Sequence, residues 1–492
     1  MKLKVKNLDW LAGKPSIILS RFSAEKLGVK LNDRITLIYN SKKLDVAIDI
    51  TSRLVKKNEL GLSEEVKKIL STKQGTKITL KLEGAPLASK LIKKKINGKR
   101  LSKKEIKIIV SEIAQNKLTG EETTYFVAAE KINGLSKKEL KYLIEAMLET
   151  GGKISFDKKI IADKHCIGGI AGNRTTPLVV AICAAAGLMI PKNSSRAITS
   201  AAGTADVIET LSKVNLSPSK IKKIVEKTNG SLVWGGGDKM VSADSRIITI
   251  ERVLNLDVEP QMLASIISKK LAAGSTRLIL DLPYGVGAKL DNLFNAKKLG
   301  KKFKKLGKEF GINIKPVYTD GRQPIGNGIG PVLEMKDVLK ILKGKEGPKD
   351  LREKAIFLSA ELMNLCGIKD SRKKAEEILN SGKAYKKFKE IINAQNGVRD
   401  FDKRIRKLRV ARYSKTILVP VSGNLYSIDN KQINSLCRVL GNPEVKNAGV
   451  YLYKHLGEVK KGEELITIYA RSEDRLKEGL KFYRLNNPFK IK

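Results

Sequence analysis

Histidine, cysteine and aromatic residues are scarce in this 492-residue chain. The two histidines, His165 and His455, and the four cysteines, Cys166, Cys183, Cys366 and Cys437, are dispersed, with no C-x-x-C pair. That excludes a zinc set of the usual spacing and leaves reduced thiols as the expectation. No acidic pair marks a metal site, so none is expected. Aromatics at 5% are too few for obvious stacking platforms beneath a nucleic-acid strand. No run of about eighteen apolar residues occurs, and Met1 to Lys30 has no basic segment leading into an apolar core, so neither a membrane span nor a secretory signal is indicated. A soluble, cytoplasmic protein is expected. Internal repeats and low-complexity tracts are also missing.

Acidic residues are the last shortage: 51 stand against 96 lysines and arginines, a formal net charge of +45. Such a surface attracts phosphate backbones, so a basic nucleic-acid-binding protein is one reading. The distribution weakens it. Lysines recur throughout, as in LIKKKINGKRLSKKEIK and KKLGKKFKKLGKEF, in patterns that read as solvated helix faces or general anion attraction.

With 41% hydrophobic residues the chain can fill several cores, and its length predicts about three domains. Residues 1–86 read as a β-rich, barrel-like N-terminal domain: LDVAIDITSRLV and TKITLKLEG alternate or run apolar, with Asn32-Asp33 and Gly75 as turn signals. Over residues 87–152 three capping boxes open helices, Ser102 with Glu105, Thr119 with Glu122 and Ser136 with Glu139. Ile106, Ile109, Val110 and Ile113 share one face, which predicts a helical subdomain closed by Gly151-Gly152. Residues 153–340 alternate candidate strands IIAD, GLMIP, SLVWG, TRLILDL and INIKPVYTD with helical segments, an α/β domain whose ligand site belongs beyond the strands' carboxyl ends. A helical connection over 341–415, containing LREKAIFLSAELMNLCG, and a small α+β domain over 416–492 complete the chain.

Chemistry concentrates between Asp163 and Asp206. In the first loop, strand IIAD leads to Lys164 and His165, then Gly168-Gly169 and Gly172, then Thr175-Thr176-Pro177 opening an apolar helix. The glycines let backbone N–H groups approach an anion, and Lys164 supplies charge. The second loop, Ser194 to Ser200, packs four hydroxyls and Arg196 into seven residues before the segment AAGTADVIETL. Two helix N-termini brought together would suit a ligand with two anionic groups. A solvent-exposed glycine turn and an ordinary cap cluster are the bland alternatives.

DKHCIGG, followed by SSRAITSAAGTAD, SADSRI, ASIISKKLAAG and TDGRQPIG, resembles the thymidine phosphorylase family, and within it the archaeal AMP phosphorylases. The resemblance covers nearly the whole chain, including the N-terminal barrel that the nucleoside enzymes lack. It implies the type II nucleoside phosphorylase fold, with a helical subdomain and a mixed-sheet α/β domain. It also implies phosphorolysis of AMP, with CMP and UMP as further substrates, to the free base and ribose 1,5-bisphosphate. On the family's pattern the nucleotide is held by Gly169, Ser195, Arg196, Ala197, Ile198, Thr199, Ser200, Thr204, Ser265 and Lys289, with Asp257 as proton donor. Attacking phosphate sits near Lys164, Thr175, Thr176, Ser194 and Thr204. Family members are dimers or larger, so a homo-oligomer is implied; inorganic phosphate is a co-substrate and no cofactor is expected.

The residues themselves allow these roles. Breaking a glycosidic C–N bond needs an acid at the base nitrogen and an anionic nucleophile across the ring. Asp257, in VLNLDVEP, can be that acid or can cap the helix begun at Pro260, on which Ser265 and Lys269 share a face. Lys289 follows a strand's carboxyl end, and His165 is given a minor orienting role. Two departures stand out. Cys166 replaces the family's serine after Lys-His, and Glu251 stands where the pyrimidine enzymes carry a base-reading arginine. A pyrimidine nucleoside phosphorylase is therefore the weaker reading of the fold.

Overall fold

The computed structural model describes residues 1–82, 84, 86–197, 200–235, 241–254 and 258–492, with backbone alone for 252–254. The chain divides into two compact units, Met1–Leu143 and Ile144–Lys492.

The first unit opens with β1 (Lys2–Asn7), β2 (Ser16–Ser20), α1 (Arg21–Leu27), β3 (Arg34–Tyr39), β4 (Lys42–Thr51), β5 (Glu59–Leu62), α2 (Glu64–Leu70) and β6 (Lys77–Lys81). The six strands close into a barrel of order β1-β5-β2-β4-β3-β6. Inward residues such as Leu3, Val5, Ile35, Leu37, Ile78 and Leu80 fill it, alternating with outward polar ones as the two-residue period of a strand requires. Then come α3 (Leu87–Ile96), α4 (Lys103–Ala114) and α5 (Gly120–Asn133), while α6 (Lys137–Glu149) begins in this unit. The capping boxes at Ser102 and Thr119 form with both hydrogen bonds, and Ser136 and Glu139 exchange the same pair. One lysine of the LIKKKINGKR run departs from the solvated-face expectation: Lys95 is buried and bonds Glu139 at 2.9 Å.

The second unit carries the α/β layers. Its elements run β7 (Ala162–Cys166), α7 (Thr175–Ala185), β8 (Ile190–Ser194), α8 (Thr204–Ile208), α9 (Pro218–Thr228), β9 (Gly230–Trp234), α10 (Ser242–Leu254), α11 (Glu259–Ala272), β10 (Arg277–Tyr284), α12 (Leu293–Glu309), β11 (Asn313–Asp320) and β12 (Gly328–Ile329). Strands β11-β10-β7 pair in parallel, as do β8-β9, so the loops leaving β7 and β8 emerge at carboxyl ends. Helix α7 is apolar all round and is buried from Thr175 to Ala184, which fits a helix packed inside rather than on a surface. Its core partners include α14 (Lys349–Leu365), α15 (Ser371–Asn380) and α16 (Lys383–Asn396), with α13 (Pro331–Leu342) before them and α17 (Phe401–Arg406) after. The lysines of α12 do follow the expected pattern, with Leu299, Phe303 and Leu306 on the buried side.

The end of the chain adds β13 (Tyr413–Leu418), β14 (Gly423–Ile428), α18 (Asn430–Val439), β15 (Gly449–Leu452), β16 (Gly457–Val459), β17 (Glu464–Ala470), α19 (Glu473–Leu485) and β18 (Phe489–Ile491). β12 leaves the α/β layers and joins the sheet β12-β15-β17-β13, whose pairings are antiparallel. Strand directions therefore mix through β12, while the two α/β sheets themselves stay parallel. Among the described residues no helix is long and apolar enough to cross a membrane.

Candidate active site

β7 ends in Lys164, His165 and Cys166, and β8 ends in Lys192, Asn193 and Ser194. The loops that leave them face one cleft of about 200 Å³. Six basic side chains line it, Lys164, Arg174, Lys192, Arg196, Lys269 and Lys289; among the described lining residues the one carboxylate is Glu251. Such a wall focuses positive potential on whatever enters.

Behind the bases stands a layer of buried carboxylates. Asp163 accepts from Lys270 at 2.7 Å and from Ser275 Oγ at 2.9 Å, and lies 3.9 Å from Lys192. Asp281 accepts from Thr319 Oγ1 at 2.6 Å, with Lys354 at 3.2 Å and Lys164 at 4.0 Å. Burial pulls the Asp281 carboxyl up, but Lys354 and Lys164 outweigh it and hold its pKa below the usual range. Asp244 pairs with Lys269 at 2.7 Å. Burial lowers the pKa of Lys164 and, with repulsion from Lys270, takes Lys192 well below the ordinary lysine value. An arriving anion would oppose both shifts, because a nearby negative charge favours a lysine's charged form. Burial and four surrounding lysines also keep His165 well below the usual imidazole range, which leaves its ring neutral near pH 7.

The first loop is held tightly. Lys164 Nζ donates to Thr175 Oγ1 at 2.9 Å and to Thr176 Oγ1 at 3.4 Å. Lys164 and Thr176 reach the cleft, whereas Thr175 is buried behind it. The helix starts at Thr175 with Arg174 in the cap position, so Thr176 is inside it and Pro177 is its third residue. Gly169, at φ 91°, passes Lys289 so closely that a Cβ would stand 2.9 Å from the Lys289 Cβ. Burial and Asp281 raise the Cys166 pKa, so the thiol stays protonated; Asn173 Nδ2 approaches its sulfur at 3.5 Å.

The second loop departs from expectation in two ways. The helix after it, α8, has five residues, too short for a useful dipole, and Asp206 already occupies the N–H groups of Ala197 at 2.7 Å and Gly203 at 2.9 Å. Positive charge there comes from side chains instead. Second, the guanidinium of Arg196 is gripped by Glu209 at 2.7 and 2.8 Å and by Asp206 at 3.0 Å, and stacks 4.8 Å from the Trp234 ring. These contacts hold Arg196 as a strut of the loop as well as a lining residue. Ser194, Ser195, Ser200 and Thr204 line the cleft, and the Ser194 hydroxyl is buried without a hydrogen-bond partner among the described residues. Ala197 is buried and does not line it. Ile198, Thr199 and Asp257 lie outside the described residues.

From α11, Ser265 and Lys269 do share a face: Lys269 Nζ donates to Ser265 Oγ at 3.0 Å and reaches Ser195 Oγ at 3.5 Å. The cap of α11 is Val258. Glu251 of α10 and Lys289 line the same cleft.

Sequence reasoning passed over Arg174, Lys192 and the carboxylate layer. Arg174 Nε donates to Glu334 at 2.6 Å, Nη1 to Thr204 Oγ1 at 2.7 Å and Nη2 to the Ala202 carbonyl at 2.8 Å, tying the first loop to the second. Lys192, in the third position of β8, donates to the Asn193 carbonyl. Its one sequence signal was its place directly after the candidate strand GLMIP.

Comparison with known proteins bears on the whole chain. The glycosyl transferase family matches twice, its helical bundle domain over residues 89–151 and its a/b domain over residues 158–385. Anthranilate phosphoribosyltransferase from Thermus thermophilus has the same fold over 62% of this chain and 99% of its own, at a TM-score of 0.50 and 18% identity. Among curated relatives, AMP phosphorylase of Pyrococcus furiosus is 42% identical over 100% of this chain and 98% of its own length. AMP phosphorylase of Thermococcus kodakarensis is 40% identical over the same shares, 100% and 98%. AMP phosphorylase 1 of Archaeoglobus fulgidus is 37% identical over 100% of this chain and 97% of its own. With this likeness running from end to end, the chain belongs to the AMP phosphorylase group of the glycosyl transferase family.

Proposed function

We infer that the chain catalyses the phosphorolysis of AMP: inorganic phosphate attacks C1′ of the ribose, the C1′–N9 bond breaks and adenine leaves. The second product is ribose 1,5-bisphosphate, and CMP and UMP are further substrates. The observation that carries this reading is one cleft walled by two hydroxyl-bearing loops and six basic side chains, a setting for two phosphates at once.

In this reading inorganic phosphate lies at Lys164, Thr176 and Ser194, with Thr175 fixing the lysine from behind. The nucleotide lies along Gly169, the loop from Ser195 to Ser200, Thr204, Ser265 and Lys289. Lys164 and Lys192, both depressed by burial, are favoured in their charged form by the arriving anions and hold the nucleophile against C1′. Departing adenine needs a proton, and Asp257 supplies it. Glu251 puts an acceptor where a donor-only arginine would select pyrimidine carbonyls. The reaction calls for no resident cofactor, and the chain acts as a homo-oligomer of two or more copies.

The test is chromatographic detection of adenine from AMP with and without phosphate, for the unaltered chain and Asp257→Asn. Phosphate-dependent adenine from the first and a loss of about a hundredfold or more in the second are expected, the scale of general-acid catalysis. A folded chain that releases no adenine in phosphate would overturn the reading. Thymidine offered in place of AMP should be a poor substrate.

A further inference from the structure

Neither anion loop is anchored by the α/β layers alone. The first loop buries Ala171, and the second buries Ala201; both belong to the hydrophobic core to which α18 contributes Ile433, Leu436 and Cys437. The backbone N–H of each alanine donates to an asparagine of that same helix. Ala171 N reaches Asn430 Oδ1 at 3.0 Å, and Ala201 N reaches Asn434 Oδ1 at 2.9 Å. The two asparagines are four residues apart and therefore share one helix face. Both are buried, at 0% and 5% exposure. Asn430 also donates Nδ2 to the Gly321 carbonyl at 3.1 Å, tying in the loop after β11. A separate tie reaches the second loop from the same end of the chain: Lys446 Nζ bonds Glu209 at 2.8 Å, and Glu209 grips Arg196.

We propose that α18 is a positioning helix, with Asn430 setting the phosphate loop and Asn434 the nucleotide loop, so that one rigid element fixes the separation of the two substrates. This rests on the assignment of one anion to each loop. An attack at C1′ is sensitive to that separation, because nucleophile and carbon must stand in near contact before the bond forms. The asparagines touch neither substrate. They act through Ala171 and Ala201, whose methyls have no freedom inside the C-terminal core. Asn434 is used for its acceptor oxygen, so aspartate there keeps the bond; alanine does not.

The experiment is calorimetric titration of the full chain with phosphate alone and with AMP alone, beside steady-state kinetics, for Asn430→Ala, Asn434→Ala, Asn434→Asp and Ile433→Val. Asn430→Ala is expected to weaken phosphate binding on the order of tenfold and AMP by no more than about twofold, the scale of one lost buried hydrogen bond. Asn434→Ala should show the reverse split, and Asn434→Asp should restore AMP binding. Ile433→Val thins the same core while keeping both asparagine bonds, and should lower the melting temperature while leaving both affinities unchanged. Alanine variants that melt lower yet bind both anions as the unaltered chain does, or that lose both equally, would overturn the proposal. A chain that binds both anions with the expected split but releases no adenine would keep the positioning role and remove the assigned reaction. A chain that binds neither anion would remove both.

Discussion

Arg174 and Glu334 form a buried pair at 2.6 Å, with side chains 9% and 1% exposed. Replacing Arg174 by methionine or Glu334 by leucine removes the pair from opposite ends, and the two losses should differ. A guanidinium cannot shed its proton, so Glu334→Leu leaves a buried cation at every accessible pH, at a cost of roughly 3–5 kcal/mol. A carboxyl can neutralise. Burial already lifts Glu334 to about 7, with Arg174 pulling it the other way. In Arg174→Met the carboxyl is therefore protonated at pH 6, and the loss is mainly the bonds to Thr204 and Ala202, about 1–3 kcal/mol. The pH dependence has a definite sign. Glu334 binds its proton more tightly folded than unfolded, so the unaltered chain loses stability as pH climbs from the unfolded value to about 7 and then levels. Without Arg174 the folded value rises further and the decline continues, so the deficit of Arg174→Met should widen between pH 7 and pH 8 by up to about 1.4 kcal/mol. Urea unfolding at pH 6, 7 and 8 measures this, followed by Trp234 in a Trp10→Phe background so that the second unit alone reports. Phosphate must be absent from the buffer, because a bound anion stabilises the folded state. A deficit that stays flat or narrows as pH rises, or an Arg174→Met cost above that of Glu334→Leu at pH 6, would refute the argument.

Other changes have equally specific outcomes. Lys164→Met should raise the KM for phosphate by about a hundredfold or more, since it removes a buried charge-assisted contact, and should abolish the rise of that KM at alkaline pH that deprotonation of the depressed lysine causes. Gly169→Ala forces a Cβ to 2.9 Å from Lys289 at a positive φ; roughly 1–3 kcal/mol of strain should appear as lower stability and weaker AMP binding, read by calorimetry. In the first unit, burial raises the Glu139 carboxyl, but bonds from Leu101, Lys95 and Ser136 outweigh it and hold it at about 2. Its stabilisation is present above the unfolded carboxyl value and is lost as pH falls toward 2. Glu139→Gln should therefore remove part of the acid sensitivity of the first unit, seen by circular dichroism.

What the sequence disclosed and what it hid divide along contact distance. The capping boxes at Ser102, Thr119 and Ser136 were legible because both partners lie within one helical turn. The two loops were legible because glycines, hydroxyls and a lysine sit side by side. The Arg174–Glu334 pair joins positions 160 apart, and the Asn430 and Asn434 bonds span 259 and 233 residues; no local pattern marks such partners. Net charge misled in one respect. The lysine-rich runs read as solvated, yet Lys95 of one such run is buried, as are Lys164, Lys192, Lys269 and Lys270 elsewhere, and each is near a carboxylate that a composition count cannot pair with it. The dipole expected from the second loop's helix failed because α8 ends after five residues and Asp206, in its first turn, already accepts from the N–H groups of Ala197 and Gly203. That loop is then met by Lys269, 74 positions beyond the Ser195 it reaches, whose partner Asp244 stands on another helix.

The central claim is that one cleft brings phosphate and AMP together for transfer, and the most direct measurement is the phosphorus balance of the reaction. Phosphorus NMR of the chain with AMP and inorganic phosphate should show phosphate consumed one for one with adenine released, and a sugar carrying two phosphate groups in equal amount. Adenine released without consumption of phosphate, with ribose 5-phosphate as the sugar product, would contradict it.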